Sequence, residues 1–305
     1  MAPSASPASS LFGESDLTRK LDQRHSPYRR AWRGFLRHRM ALVGLTIVGA
    51  LVLLAILAPV IAPYDPAEPH FQAVRAAPGA DFLLGTDDLG RDVLSRMIHA
   101  ARISVSVGII AVGIYQVIAL VLGALSGYFG GLVDMLIQRL VDIVMSFPTL
   151  IVILVFIALL GPSIFNVMIA IGLLSWPGPT RLYRAQILQL RAMDYILAAH
   201  AVGVGNTQII LRHILPGIVS PLIVNATFGV GAAIMAEAGL SFLGLGVQPP
   251  TASWGNMLSD AQNLTKLQLM PWLWVPPGLA IAITVLAINF IGDGLRDALD
   301  PKQIQ

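Results

Sequence analysis

Cysteine is absent from the 305 residues, which excludes a disulfide framework, a thiolate metal site and a cysteine nucleophile. Charge is scarce: 12% of residues are Asp, Glu, Lys or Arg, about half the share of a soluble domain. That leaves too little polar material to cover a water-facing surface. A 55% hydrophobic content and a mean hydropathy of +0.73 also exclude a disordered chain. The three lysines, Lys20, Lys266 and Lys302, follow Arg19, Thr265 and Pro301, so no Gly-Lys-Ser/Thr phosphate loop can form. Any ATP hydrolysis therefore belongs to a partner. The six histidines form no His-Glu-x-x-His pair and no serine sits in a Gly-x-Ser-x-Gly elbow, so the signatures of zinc proteolysis and serine hydrolysis are missing. No cofactor or metal is expected in the chain, and His200 and His213 read as packing or capping residues.

The remaining solvent is a bilayer, whose core of about 30 Å needs roughly 20 apolar residues per helix. No charge falls between Arg39 and Asp65, and thirteen Leu, Ile and Val lie in 41–62. At about 0.3–0.6 kcal/mol each, insertion of this stretch gains roughly 4–8 kcal/mol as an upper bound. It is too long, and preceded by too many residues, for a signal peptide. Further crossings are expected over 103–127, 132–160, 163–180, 217–245 and 272–292, with Pro59, the Gly130-Gly131 turn and Gly161-Pro162 as breaks. The fold class is thus an all-α polytopic membrane protein with six transmembrane helices. With the N-terminus inside, fifteen of the twenty Lys and Arg fall in inner segments and five in outer ones, which sets an N-in/C-in topology. The basic pI near 9.4 reflects this bias and not a nucleic-acid surface. Trp272 and Trp274 suit an interfacial belt before the last crossing.

Outside these spans, residues 1–27 read as a disordered tail. Over 28–40, Ala31, Trp32, Phe35 and Leu36 recur at helical spacing among four arginines, either a helix lying on membrane lipid or a basic topological anchor. The outer loop 63–102 contains Thr86, Asp87, Asp88, Arg91 and Asp92, with Thr86 or Asp87 placed to cap a helix through Val93–Arg96. The ligand spacing of a calcium loop is missing, so a capped helix presenting a docking surface is the better reading. The inner loop 181–216 predicts a helix–turn–helix: Asp194 caps the first helix, Gly203 ends it, Asn206 or Thr207 caps the second, and Pro216 with Gly217 terminates it. Small residues at the bend, Ala198, Ala199 and Gly203, let another protein approach; a hairpin resting on its own bundle is the alternative. Glu237 is the one formal charge in 217–245. A mid-bilayer charge costs about 2.5–3.5 kcal/mol, so it should line a translocation path or pack against a partner.

The inner loop resembles the permease subunits of bacterial ABC importers, whose signature is Glu-Ala-Ala, three residues, Gly, nine residues, then Ile-x-Leu-Pro. Here Ala198-Ala199, Gly203 and His213-Ile214-Leu215-Pro216 keep that spacing, with Leu197 in the Glu position and His213 in the Ile position. The segments 84–96, 238–250 with Ser253-Trp254-Gly255, and 292–301 are similar to the dipeptide, oligopeptide and nickel branch, most of all its dipeptide C-type subunits. The resemblance spans about residues 30–302. It implies a type I importer permease fold in the inner membrane, paired with a B-type permease subunit. Two ABC ATPase subunits carrying ATP and Mg would sit below, and a periplasmic substrate-binding protein would deliver peptide. By the same resemblance the coupling helix comprises Asp194, Tyr195, Ala198, Ala199, Gly203, Gly205 and Asn206 up to Pro216, while Thr86, Asp87, Asp88, Arg91, Asp92 and Trp254 form the periplasmic docking face. Cargo stays open among dipeptides, longer peptides, nickel chelates and haem-like compounds. An ion-coupled secondary transporter is the competing class, although one intramembrane Glu and no internal repeat fit it poorly.

Overall fold

Backbone polar groups in lipid must be satisfied within the chain, so the long charge-free stretches can only become helices. A computed structural model describes residues 27–299, and all regular structure among them is helical apart from one isolated bridge between Thr86 and Asp92. The expected tail before residue 27 lies outside the described residues.

Helix α1 (Pro27–Arg37) meets α2 (Arg39–Ile61) at His38, whose Nδ1 accepts the Ala41 N–H at 3.1 Å. Pro59 was expected to end α2, but it sits in the last turn and the helix continues to Ile61. Helix α3 (Val93–Phe129) runs for 37 residues, roughly 55 Å. It starts ten residues before the expected 103 because Asp92, not Thr86 or Asp87, is the cap: its Oδ2 accepts the Ser95 N–H at 2.8 Å. Gly130, at φ +68, turns the chain into α4 (Gly131–Met145).

The expected straight crossing over 132–160 is bent by 79° between α4 and α5 (Thr149–Leu160). Pro148 supplies no N–H and disfavours helix at Phe147, while Ser146 Oγ donates to the Asp142 carbonyl at 2.7 Å and closes α4. Likewise 163–180 is not one helix. Helix α6 (Ile164–Leu174) stops at Ser175, and Pro177 opens α7 (Pro177–Arg191), which carries Arg181, Arg184 and Arg191. The inner hairpin follows as α8 (Asp194–Ala201) and α9 (Asn206–Ile209), the latter running through a π turn, Ile210–Ile214, and Leu215–Gly217. Then come α10 (Val219–Phe242), α11 (Trp254–Leu258), α12 (Leu264–Leu269) and α13 (Val275–Leu299). Among the described residues, four stretches are long and apolar enough to cross a membrane, and the bent α4–α5 pair makes five.

Association of these helices rests on close approach, since lipid gives them no hydrophobic drive toward one another. On α3, a Cβ at Gly123 would lie 2.9 Å from Tyr183 Cβ, and one at Gly127 would lie 2.9 Å from the Arg184 carbonyl, so α7 packs directly on the α3 backbone. Gly108 admits Val230 and Ile234 of α10 in the same way. Leu53, Ile56 and Val60 of α2 stay exposed, as a lipid-facing stripe should.

Candidate functional site

Two polar constructions stand at opposite ends of α3. At its C-terminal end, Tyr128 is buried with Ile187, Ile196, Ile209, Ile214 and Ile218, an apolar bed on which the hairpin rests. The Tyr128 hydroxyl donates to Asn206 Oδ1 at 2.9 Å and lies 3.2 Å from His200 Nε2. With its one proton committed to Asn206, the hydroxyl meets His200 with a lone pair. The rings of Tyr128 and His200 stack with centroids 6.0 Å apart.

The other side of the hairpin is uncovered. Tyr195, Leu197 and Val202 are exposed, with Ala198 and Gly205 among them. Gly203, at φ +83, ends α8 as expected. A Cβ at Gly203 or Gly205 would meet nothing within 4 Å, so the bend faces open space. Two caps differ from expectation by one residue. Met193 and Gly205 hold the extended N-cap positions, so Asp194 and Asn206 each begin a helix, and the Asn206 side chain serves Tyr128. The second helix ends at Gly217 as expected, with Pro216 inside its last turn. The Leu215 N–H bonds the Ile210 carbonyl, five residues back, and this widened turn relieves the clash a proline imposes four residues upstream.

At the N-terminal end of α3, most of the expected docking residues are internal. Thr86 is fully buried and accepts the Ala76 N–H at 2.8 Å. Asp87 Oδ1 accepts the N–H groups of Leu89 and Arg91, both at 2.9 Å, and its Oδ2 takes Arg91 Nε at 2.7 Å with Arg96 Nε at 3.5 Å. Asp92 is the α3 cap. Trp254 is buried, its Nε1 donating to the Met97 carbonyl at 3.2 Å. These residues build the scaffold of the loops and cannot themselves present a contact surface; this corrects the expectation that they dock directly. Asp88 is half-buried and joins two loops, taking Arg75 Nε at 2.7 Å and Lys266 Nζ, which also reaches Asp260 at 2.7 Å. Burial alone would raise the Asp88 pKa, but hydrogen bonds from Lys266 and Arg75 outweigh it and hold it below its ordinary value. For Lys266 burial pulls downward, and bonds to Asp260 and Asp88 bring it above the usual lysine value. Trp272 and Trp274 also bond loop carbonyls, of Thr86 at 3.4 Å and Leu267 at 3.2 Å.

Glu237 sits five residues before the end of α10 and is 0% exposed. Its surroundings come from its own chain, so it opens on no path within this subunit. Oε1 accepts Ser241 Oγ at 2.6 Å and Oε2 faces Ser104 Oγ of α3 at 3.4 Å. Sequence reasoning found Glu237 but missed its serines, because Ser104 and Ser241 share no local pattern. It also missed Tyr128. Between the two ends it missed Gln116, whose Nε2 bonds the Leu222 carbonyl at 3.2 Å and Asn225 Oδ1 at 3.3 Å while its Oε1 accepts the Tyr183 hydroxyl.

The geometry is that of a multi-helix membrane scaffold with an uncovered hairpin at one end and a built loop platform at the other. Comparison with known proteins agrees. Residues 119–305 match the family described as binding-protein-dependent transport system inner membrane component, and residues 26–78 match the N-terminal TM domain of oligopeptide transport permease C. The chain is 43% identical over 277 residues to a dipeptide transport system permease protein of Alkalihalophilus pseudofirmus, covering 91% of this chain and 90% of that one. It is 42% identical over 283 residues to a di/tripeptide transport system permease protein of Pseudomonas aeruginosa, covering 91% and 93%. It is 44% identical over 285 residues to a glutathione transport system permease protein of Escherichia coli, covering 93% of each. The chain belongs to the family of inner-membrane permease components of binding-protein-dependent transport systems.

Proposed function

We propose that this chain is the C-type permease subunit of an ATP-driven importer of small peptides in a bacterial inner membrane. The three relatives named above act on dipeptides, di- and tripeptides, and glutathione, so a short peptide is the cargo their names have in common. In this reading both termini face the cytoplasm, and α6 with α7, broken at Ser175 and Trp176, supplies the sixth crossing. A B-type subunit completes the translocation path, two ATPase subunits bind ATP and Mg, and a periplasmic binding protein delivers peptide. The loop 194–207 is the surface one ATPase grips, and nucleotide-driven closure of the ATPases moves it as a lever.

The observation carrying this reading is the two-sided hairpin. Its isoleucine underside is locked to α3 and α7, while Tyr195, Leu197 and Val202 project around a bend with no neighbour. An exposed apolar patch of this kind marks a partner site. Gly205 is a cleaner probe than Gly203, because its φ is −65° and a side chain there adds no backbone strain. In proteoliposomes containing the whole complex, Gly205→Trp should leave insertion intact and abolish copurification of the ATPases and ATP-dependent dipeptide uptake. Uptake that proceeds without ATP, driven by an ion gradient, would refute the proposal.

A further inference from the structure

Glu237 is held by two hydroxyls from two helices, Ser104 on α3 and Ser241 on α10, beside the N-cap of α11 at Ser253. Each hydroxyl also accepts a main-chain N–H. Trp254 N reaches Ser104 Oγ at 3.2 Å and Val247 N reaches Ser241 Oγ at 3.1 Å, while Ser253 Oγ takes Asn256 N at 3.2 Å as the cap of α11. A serine has one proton. While each proton points at the carboxylate, the oxygen lone pairs stay turned to those N–H groups. One side chain therefore orients two hydroxyls, and through them the amides of Val247 and Trp254, at the two ends of the exposed tip.

The segment has little room to sit elsewhere. A Cβ at Gly255 would lie 2.6 Å from Ala238 Cα and 2.8 Å from Ser241 Cβ, so its backbone lies directly on α10. Ala252 to Gly255 are buried, while Gln248 to Thr251 project as an exposed tip. We infer that Glu237 is a positioning residue: a buried latch that fastens the 247–256 segment to α3 and α10 and so fixes the surface on which the binding protein seats. The second half of that statement rests on the function proposed above; the latch itself does not. A role lining the path is replaced by one holding the outer platform.

The absence of native cysteine gives a clean reporter. Ala252→Cys, at 5% exposure, should be shielded from a membrane-impermeant maleimide in the reconstituted complex. Adding Glu237→Gln replaces an acceptor with an amide donor facing a serine already committed as donor, and should speed labelling about tenfold or more. Ser104→Ala, a milder change that removes one arm, should speed it by a smaller factor. Glu237→Asp, charged but one methylene short, should fall between wild type and Glu237→Gln. For binding-protein-stimulated ATPase activity, the half-saturating binding-protein concentration should rise more than the maximal rate falls. Unchanged labelling in Ser104→Ala together with any assembled Glu237 variant would overturn the latch, as would lost peptide transfer per ATP with labelling and half-saturation both normal. Should Glu237→Gln fail to assemble, the Ser104→Ala labelling decides alone. Should the wild-type complex show no stimulation by any binding protein, the functional reading fails while the labelling test of the latch still stands.

Discussion

Tyr128→Phe removes one oxygen from the joint between α3 and the hairpin and little else. The ring keeps its place among Ile187, Ile196, Ile209, Ile214 and Ile218, so the apolar contribution is retained. Lost are the 2.9 Å bond to Asn206 and the 3.2 Å bond with His200. A neutral hydrogen bond contributes about 0.5–1.5 kcal/mol net. Asn206 and His200 are both exposed and can turn to water when the hydroxyl is gone, so the lower end of the summed range applies, about 1 kcal/mol. That corresponds to about a fivefold larger open population of the hairpin. Hydrogen–deuterium exchange of the reconstituted complex should show this in the peptides covering 194–209, with no change over 105–120 in the middle of α3. A hairpin that slips more often should also spend more ATP per peptide moved. Unchanged exchange over 194–209, or an equal rise in both regions, would refute the assignment of Tyr128 as the hairpin's anchor.

The outer charge cluster predicts a pH window. The Asp88 contribution is present above its ordinary value of 3.8 and is lost as pH falls through its lowered folded value; that of Lys266 is present below 10.5 and is lost as pH rises through its raised folded value. Thermal unfolding of the purified protein should be flattest between those limits, and Lys266→Met should lower the plateau and weaken both flanks. Gly123→Leu should destabilise by about 1–3 kcal/mol, because its Cβ alone would sit 2.9 Å from Tyr183 Cβ and 3.1 Å from the Thr180 carbonyl. The exposed Gly113 meets nothing within 4 Å, so Gly113→Ala should be neutral or slightly stabilising in the same melt. Arg184 binds Asp134 bidentately, with both bonds at 2.6 Å and side chains 31% and 19% exposed. A double-mutant cycle of Asp134→Asn with Arg184→Gln should return a coupling of about 1–2 kcal/mol, between the surface and buried limits; zero coupling would mean the pair is incidental.

The spans were legible because lipid imposes a one-dimensional rule: a long run without charge must be a helix, and α2, α3, α10 and α13 follow from it. The start of α3 was only half legible: a short capped helix through Val93–Arg96 was expected, but Arg96, His99 and Arg102 hid its continuity with the crossing. The cap signal, Asp92 followed by Ser95, was present among several competing acids. Breaks inside the two apolar stretches 132–160 and 163–180 were underread. A proline after an amphipathic helix bends it where the partner arginines on α7 hold the polar half, and those partners, Arg181 and Arg184, lie 39 and 50 residues away in sequence. Hairpin spacing was visible down to Gly203, whereas the anchoring Tyr128 was not, since nothing at position 128 announces a partner at 206. The same holds for the serines around Glu237: a lone hydroxyl on an apolar helix becomes legible only when its partner is folded against it.

The distribution of these polar joints along α3 constrains how the subunit can move. Ser104 joins Glu237, Gln116 joins Asn225, and Tyr128 joins Asn206. From Ser104 to Tyr128 is 24 residues, roughly 36 Å, the thickness of the hydrocarbon core and a little more. The first two joints are twelve residues apart on α3 (104 to 116) and twelve apart on α10 (225 to 237), so the two helices keep constant antiparallel register between them. A pair locked at two levels about 18 Å apart cannot slide by part of a turn without breaking both joints. It can tilt as one body, or open at one end while the other holds. Displacement of the hairpin enters this body through Tyr128 and through the chain connection from α9 into α10, both at the same end. On the function proposed above, an α3–α10 pair held at two levels would pass that displacement to the Glu237 end as rotation of one body, with no continuous path of rearranging side chains required between hairpin and outer platform.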